Sequence, residues 1–205
     1  MKTLLVVNAK GGSGKTTLAT NAAAALAARG DPVALWDLDR QKSAQQWLAI
    51  RPATAAPVRG LSTGPRPAAR PTEGWLVMDT PAGLHGKNLS HSVKLASRIL
   101  VPVQPSLFDM AATAGFLAAL LEEKTVRKGD AAVGIVGMRV DPRTRAASTL
   151  EAFLAQFGLP VVSWLRDTQV YPNAAFSGLG VFDLPPHAAG RDTEQWQPIL
   201  EWVGP

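Results

Sequence analysis

The sequence predicts an α/β protein: a twisted, mostly parallel sheet with helices on both faces. Three observations predict it. Short apolar runs alternate with helical segments along all 205 residues, the order that builds parallel strands joined by crossover helices. A glycine-rich stretch, Asn8-Ala9-Lys10-Gly11-Gly12-Ser13-Gly14-Lys15-Thr16-Thr17, separates the first apolar run from the first helical one. Three carboxylates, Asp37, Asp39 and Asp79, stand at the predicted C-terminal ends of strands, where open α/β sheets bind ligands.

The elements follow in order. Strand 1 is expected over about 2–8 and an alanine-rich helix over 15–29, with Gly30 as its stop and Asp31-Pro32 as a turn. A buried strand runs from Pro32 to Asp39, and a short helix over 43–50 is expected to take Ser43 as its N-cap. Residues 52–73 change character: five prolines break any long element, and Arg51, Arg59, Arg66 and Arg70 precede the first acidic residue, Glu73. This reads as an irregular basic connection with one short strand near 58–61. Trp75 to Asp79 is an apolar strand, followed by a helix over 87–97 and a strand over 99–103. Ser106 or Asp109 caps a helix running to about 128, on which Met110, Leu117 and Leu121 recur at helical spacing. A strand over 131–140, a helix over 143–157, a strand over 159–165 and helices near 168–177 and 191–203 complete the chain.

The length suits one domain, 1–205, which buries about 70 % of the surface its unfolded chain exposes. Hydrophobic residues make up 46 % and charged residues 18 %, a globular composition. There is no cysteine, which excludes disulfides, thiolate metal sites and iron–sulfur clusters. No apolar run approaches the roughly 20 residues of a spanning helix. The first strand begins so early that no signal peptide is expected before it, and a cytoplasmic location follows. The net charge of +5 favours polyanions, but it equally suits a basic soluble enzyme.

The chemistry begins at the glycine stretch. Strand, glycine loop and helix N-terminus is the context of a phosphate-binding loop, and so of a P-loop NTPase. Gly11, Gly12 and Gly14 let successive backbone N–H groups turn toward one anion. The following helix adds its unpaired N–H groups and the positive end of its dipole. Lys15 reaches the outer phosphates, the Thr16 hydroxyl is placed to ligate Mg²⁺, and Ser13 and Thr17 complete the loop. The general template wants glycine where Ala9 stands, and a second lysine, Lys10, follows it.

This K-G-G-x-G-K-T-T form resembles the deviant Walker A motif of the ParA/MinD family of ATPases. Asp37-Leu38-Asp39-Arg40-Gln41-Lys42-Ser43-Ala44 is similar to the family's D-x-D-P-Q-x-S-A segment. Val77 to Gly83 is similar to its hydrophobic-D-T-P-x-G segment, and Val101 to Ser106 to its V-P-V-x-P-S segment. The four matches keep the family's order over residues 1 to about 110, and the likeness is looser beyond. The short chain, without an N-terminal helix-turn-helix, resembles the small ParA-type partition proteins.

The resemblance implies a cytoplasmic, nucleoid-associated ATPase with ATP/ADP and Mg²⁺ as cofactors. It forms a homodimer on ATP in which Lys10 reaches the partner's phosphates and Lys15 serves its own. Asp79 would hold Mg²⁺ mostly through water, Asp39 would orient the attacking water, and Asp37 would lie on the metal side. Nonspecific DNA and an activating adaptor protein are the implied partners, with slow, partner-stimulated hydrolysis and no membrane. Arg139, Arg143, Arg145 and Arg166 are the candidate DNA contacts, since phosphate contacts need only charge and reach.

The sequence also departs from the family. Arg40 replaces a usual proline, and Gly137-Met138-Arg139 stands where many relatives place an adenine-reading asparagine, so the candidates at the base are Met138, backbone groups in place of that side chain, and the later segment Leu165 to Phe176. His85, His91 and His187 lack ligand spacing and read as structural or surface residues. Competing readings are a MinD-like membrane-cycling ATPase, a metabolic P-loop enzyme and a nucleotide-gated binding protein. The final segment carries two glutamates, an internal proline and no lysine, which argues against a basic amphipathic anchor.

Overall fold

The computed structural model describes residues 1–61 and 72–204. Their strands form a seven-stranded sheet in the order β3-β2-β4-β1-β5-β6-β7, parallel throughout. The strands are β1 (Lys2–Val6), β2 (Val33–Asp37), β3 (Arg59–Gly60), β4 (Trp75–Asp79), β5 (Arg98–Val103), β6 (Ala132–Gly137) and β7 (Val161–Trp164). The helices are α1 (Lys15–Ala28), α2 (Ser43–Ala49), α3 (Gly86–Val93), α4 (Leu107–Leu121), α5 (Lys124–Arg127), α6 (Arg145–Ala155), α7 (Val170–Ala175) and α8 (Pro186–Val203), with a 3-10 turn at Val181–Asp183. The expected fold class is therefore observed. The expected short strand near 58–61 is β3, while Arg66 and Arg70 lie outside the described residues.

Period-two alternation divides each central strand between two cores. Leu4 and Val6 of β1, Val33 and Leu35 of β2, and Trp75 and Val77 of β4 face one layer, which contains α1, α2 and α8. Leu5, Ala34, Trp36, Leu76 and Met78 face the other, with α3, α4 and α6. Both faces are covered, so the strands read as unbroken apolar runs. Helix α1 is buried nearly all round, from Leu18 to Ala27. Its alanines explain how: small side chains let it lie against the sheet on one side and under the 3-10 turn on the other. At Gly180 a Cβ would stand 2.7 Å from the Ala24 Cβ, so the crossing requires glycine.

Three boundaries differ from expectation for physical reasons. Ser43 does not cap α2. Lys42 occupies the cap with φ +57°, and the orphan amide of Gln45 donates instead to Asp37 Oδ2 at 3.1 Å. Helix α4 stops at Leu121 because Glu123 is extended, its carboxylate accepting from Ser90 Oγ of α3 at 2.7 Å. Helix α8 starts five residues before the expected 191, with Pro186 in its first turn.

A buried ion pair ties α2 to the 3-10 turn. Arg51 and Asp183 are each 5 % exposed and bidentately bonded at 2.8 and 2.9 Å. The guanidinium also donates to the carbonyls of Ala56 and Gly178 and lies over Trp47. Truncation of one partner leaves the other charge buried and alone, which costs about 3 kcal/mol or more. Asp183→Ala is therefore expected to lower the thermal midpoint by on the order of 10 °C, measured by circular dichroism.

Candidate nucleotide site

The register brings the chemistry to one edge. Val6 pairs with Asp79 and Asp37 pairs with Asp79 across β1, β4 and β2, so the ends of three neighbouring strands lie level. The loop from Val7 to Gly14 leaves the central strand at this edge and feeds α1.

Both Gly12 and Gly14 have positive φ, +74° and +97°, a region open to glycine at little cost. At Gly14 a Cβ would also stand 2.9 Å from the Met138 Cε. Buried Asn8 braces the loop, donating to Pro102 O at 2.8 Å and Thr113 Oγ1 at 3.1 Å while accepting from Lys10 N at 3.1 Å. Gln104 Nε2 donates to Gly12 O at 2.6 Å, and Gly83 N to Ala9 O at 2.8 Å. Ser13 is buried, and its hydroxyl has no partner among the described residues. Gly11 lies exposed at the loop's tip.

The two lysines are placed differently. Lys15 is 7 % exposed and donates to Lys10 O at 2.9 Å, arching over the loop. Burial holds its ammonium below the ordinary range, Asp79 and Asp39 oppose that, and Lys10 adds to it. Lys10 is half-buried, and its Nζ donates to its neighbour's carbonyl, Gly11 O, at 3.3 Å.

Asp79 is 1 % exposed. Its Oδ2 accepts from Thr16 Oγ1 at 2.8 Å, and its Oδ1 has no partner among the described residues. Burial pushes its carboxyl up to about 7; Thr16 and Lys15 oppose this, and Asp37 and Asp39 add to it. Asp37 is 2 % exposed and spends both oxygens on backbone amides, of Asp39 at 2.9 Å and Gln45. It shapes the loop that carries Asp39. Asp39 is half-buried and accepts from Gln41 N at 3.0 Å. Among the described residues no cluster of three or more His, Asp or Glu is set to hold a metal alone. The orphaned Asp79 oxygen beside the Thr16 hydroxyl nevertheless fits Mg²⁺, which takes few protein oxygens and completes its shell with phosphate and water.

A cleft of 670 Å³ opens from Gly14, Thr16 and Thr17 toward the loops after β6 and β7. Met138, Leu165, Tyr171 and Phe176 give it an apolar end, and Arg139, Asp167 and Gln169 a polar rim. Met138 lines this cleft beside Gly14. Arg139, at φ +54°, stands 4.0 Å from Asp167, and both are exposed. Exposed Arg145 opens α6. Arg143 pairs with Asp141 at 2.8 Å at the surface, and its guanidinium holds the Asp141 carboxyl down to about 2. Arg166 is engaged otherwise, gripped bidentately at 2.8 and 2.9 Å by fully buried Asp192. Asn8 and Gln104 are site residues the sequence reading gave no role. The only signal was their place inside the recognised segments.

This arrangement defines a P-loop nucleotide-binding protein. The chain matches the CobQ/CobB/MinD/ParA nucleotide binding domain over residues 4–181 and belongs to that family. It is 30 % identical over 217 residues to maintenance of carboxysome distribution protein A of Halothiobacillus neapolitanus, covering 99 % of this chain and 96 % of that one. It is 31 % identical to the chromosome-partitioning ATPase Soj of Thermus thermophilus over 77 % of this chain and 78 % of that one. Its fold matches a plasmid partition protein of Borrelia burgdorferi bound to AMPPNP with TM-score 0.73, at 14 % identity over 98 % of this chain and 99 % of that one.

The raised Asp79 carboxyl has a measurable consequence in the nucleotide-free protein. Between pH 4 and 7 the folded state keeps a proton that the unfolded chain has released, so this group's contribution to stability falls as pH rises through that window. Asp79→Asn is expected to flatten that limb and to raise the thermal midpoint above pH 7, read from melting curves across pH.

Proposed function

We propose that this protein is an ATPase that pairs on ATP, binds DNA without sequence preference and uses hydrolysis to position a large cargo. The observation that carries the reading is the divergence of the two lysines. Lys15 is buried over its own loop, whereas the Lys10 ammonium bonds only a carbonyl at the loop's exposed tip, Gly11 O, and forms no ion pair among the described residues. A cation held there suits the phosphates of a second subunit, where it stabilises charge developing in phosphoryl transfer. Asp39 orients the attacking water from a loop that Asp37 holds rigid. Thr16 and Asp79 would hold Mg²⁺, which would supply neutralisation of phosphate charge. The AMPPNP bound by the plasmid partition protein supports ATP as the nucleotide here.

The relatives' names supply the cargo class: one distributes carboxysomes and another partitions chromosomes. Both operations space a large body, and an adaptor that stimulates hydrolysis links such a body to the ATPase. Exposed Arg139, Arg143 and Arg145 offer DNA a basic rim at the sheet edge, whereas Arg166 supports that rim from its buried pair. Surface ion pairs such as Arg143–Asp141 are worth little, so these cations exchange readily onto phosphates. One observation argues against a membrane anchor at α8: its apolar side is spent in the core, where Trp196, Ile199 and Val203 are buried.

Lys10→Ala is expected to keep ADP binding while lowering ATP turnover by about 100-fold or more and abolishing the ATP-induced doubling of mass. Unchanged turnover and mass would refute the shared-lysine mechanism. Retention on nonspecific duplex is expected only with ATP, and to fall steeply between low and raised salt. Equal retention with ADP, or retention indifferent to salt, removes DNA from the reading.

A further inference from the structure

We infer that the apolar end of the nucleotide cleft holds a base by its flat faces and not by its edges, with Phe176 as the stacking ring, so that guanine nucleotides enter the site alongside adenine ones. The inference rests on the phosphate site proposed above and names the class of base that site takes.

The walls come first. Met138, Leu165, Tyr171 and Phe176 line the same cleft that opens from Gly14, Thr16 and Thr17. Apolar walls with few polar groups are the common form of a small-molecule site. Phe176 differs from the other three: it is 83 % exposed, whereas they are buried. Its backbone is nevertheless fixed. Phe176 N donates to Pro172 O at 3.1 Å at the end of α7, and Arg51, of the buried ion pair, donates to Gly178 O at 3.0 Å. At Gly178 a Cβ would stand 2.5 Å from Arg51 N, so the chain after α7 and the chain after α2 meet backbone to backbone. A bare aromatic ring is thus held in the wall of a cleft that begins at the phosphate loop.

The buried polar groups around it are already committed. Tyr171 Oη accepts from Trp196 Nε1 at 3.1 Å, which ties that hydroxyl to α8. The Arg166 guanidinium is held by Asp192 at 2.8 and 2.9 Å. Asn21 donates to Thr17 O and accepts from Val181 N, both at 2.9 Å, and Thr20 Oγ1 donates to Thr16 O at 2.8 Å. Backbone donors are engaged too: Met138 N with Val103 O at 2.8 Å, Leu165 N with Gly137 O at 2.7 Å and Arg166 N with Gln195 Oε1 at 3.0 Å. Thr168 Oγ1 accepts from Val170 N at 3.3 Å. The other polar side chains at this end of the cleft, Arg139, Asp167 and Gln169, are exposed.

Strong discrimination between ligands comes from a buried polar group that the wrong ligand leaves unpaired. An exposed group that a ligand refuses returns to water at little cost. Adenine and guanine differ in the donors and acceptors along their edges. Both present a purine face, and stacking on an aromatic ring accepts every base. The thioether of Met138 adds a soft apolar contact of the same indifferent kind.

The test measures affinities in Mg²⁺ by displacing ribose-labelled ADP from the full chain with ADP, GDP or inorganic pyrophosphate. GDP is expected to compete within about tenfold of ADP. Phe176→Ala is expected to weaken ADP and GDP alike, by about tenfold. Its melting curve and its affinity for pyrophosphate are expected to match the parent's, since the ring is exposed and pyrophosphate carries no base. Phe176→Tyr, which keeps a ring, is expected to retain most of the affinity. GDP weaker than ADP by more than about 100-fold overturns the inference and gives the base edge to a polar group, while the phosphate site stands. Equal ADP affinities in the parent and in Phe176→Ala overturn the stacking role. A parent that binds neither ADP nor pyrophosphate overturns the phosphate site and this inference with it.

Discussion

The bond from the Thr16 hydroxyl to buried Asp79 is the constraint around which this molecule is arranged. It spans two neighbouring strands: Thr16 follows the loop that leaves β1, and Asp79 ends β4. For the bond to form, the two strands must end level, as the Val6–Asp79 register ensures. A carboxylate at such depth is costly to ionise, and one of its oxygens is left without a protein partner. That cost is carried by the apolar strands around it, and it keeps the site ready for a cation. The same edge holds Lys15 beneath its ordinary ammonium range. Burial thus disfavours both the ionised carboxyl of Asp79 and the protonated amine of Lys15 at this edge.

Around this centre the protein spends polar side chains on holding loops rather than on touching ligand. Asn8 pins the phosphate loop to β5 and α4. Gln104 holds the Gly12 carbonyl. Asp37 uses both oxygens to fix the backbone that bears Asp39 and to cap α2. Each is a hydrogen bond to main chain or across elements, of the kind that fixes geometry in a buried setting. Left exposed outside these braces are Leu107, Phe108, Arg139, Arg143 and Arg145.

Much of this was legible in residue order. The glycine loop between an apolar run and a helix gave the nucleotide site because only such a loop turns consecutive amides toward an anion. The carboxylates at strand ends were legible because a parallel sheet gathers its C-terminal ends on one edge. Ser43 shows the limit of local reasoning. It is a good capping residue in a suitable place, yet the cap comes from Asp37, six residues earlier, because the strand end delivers its carboxylate to the helix. Arg166 shows the same limit for charge. Its sequence neighbourhood suggests a free cation, but Asp192, 26 residues later, lies buried against it.

The sequence by itself determined the layered parallel sheet and the glycine loop that joins its first strand to α1, because those depend on period, spacing and side-chain chemistry along a short stretch of chain. Tertiary structure alone decided which arginines are engaged, which side chains brace the loop and which apolar residues stay bare. Those outcomes depend on burial and on partners distant in the chain, and neither is written in local order.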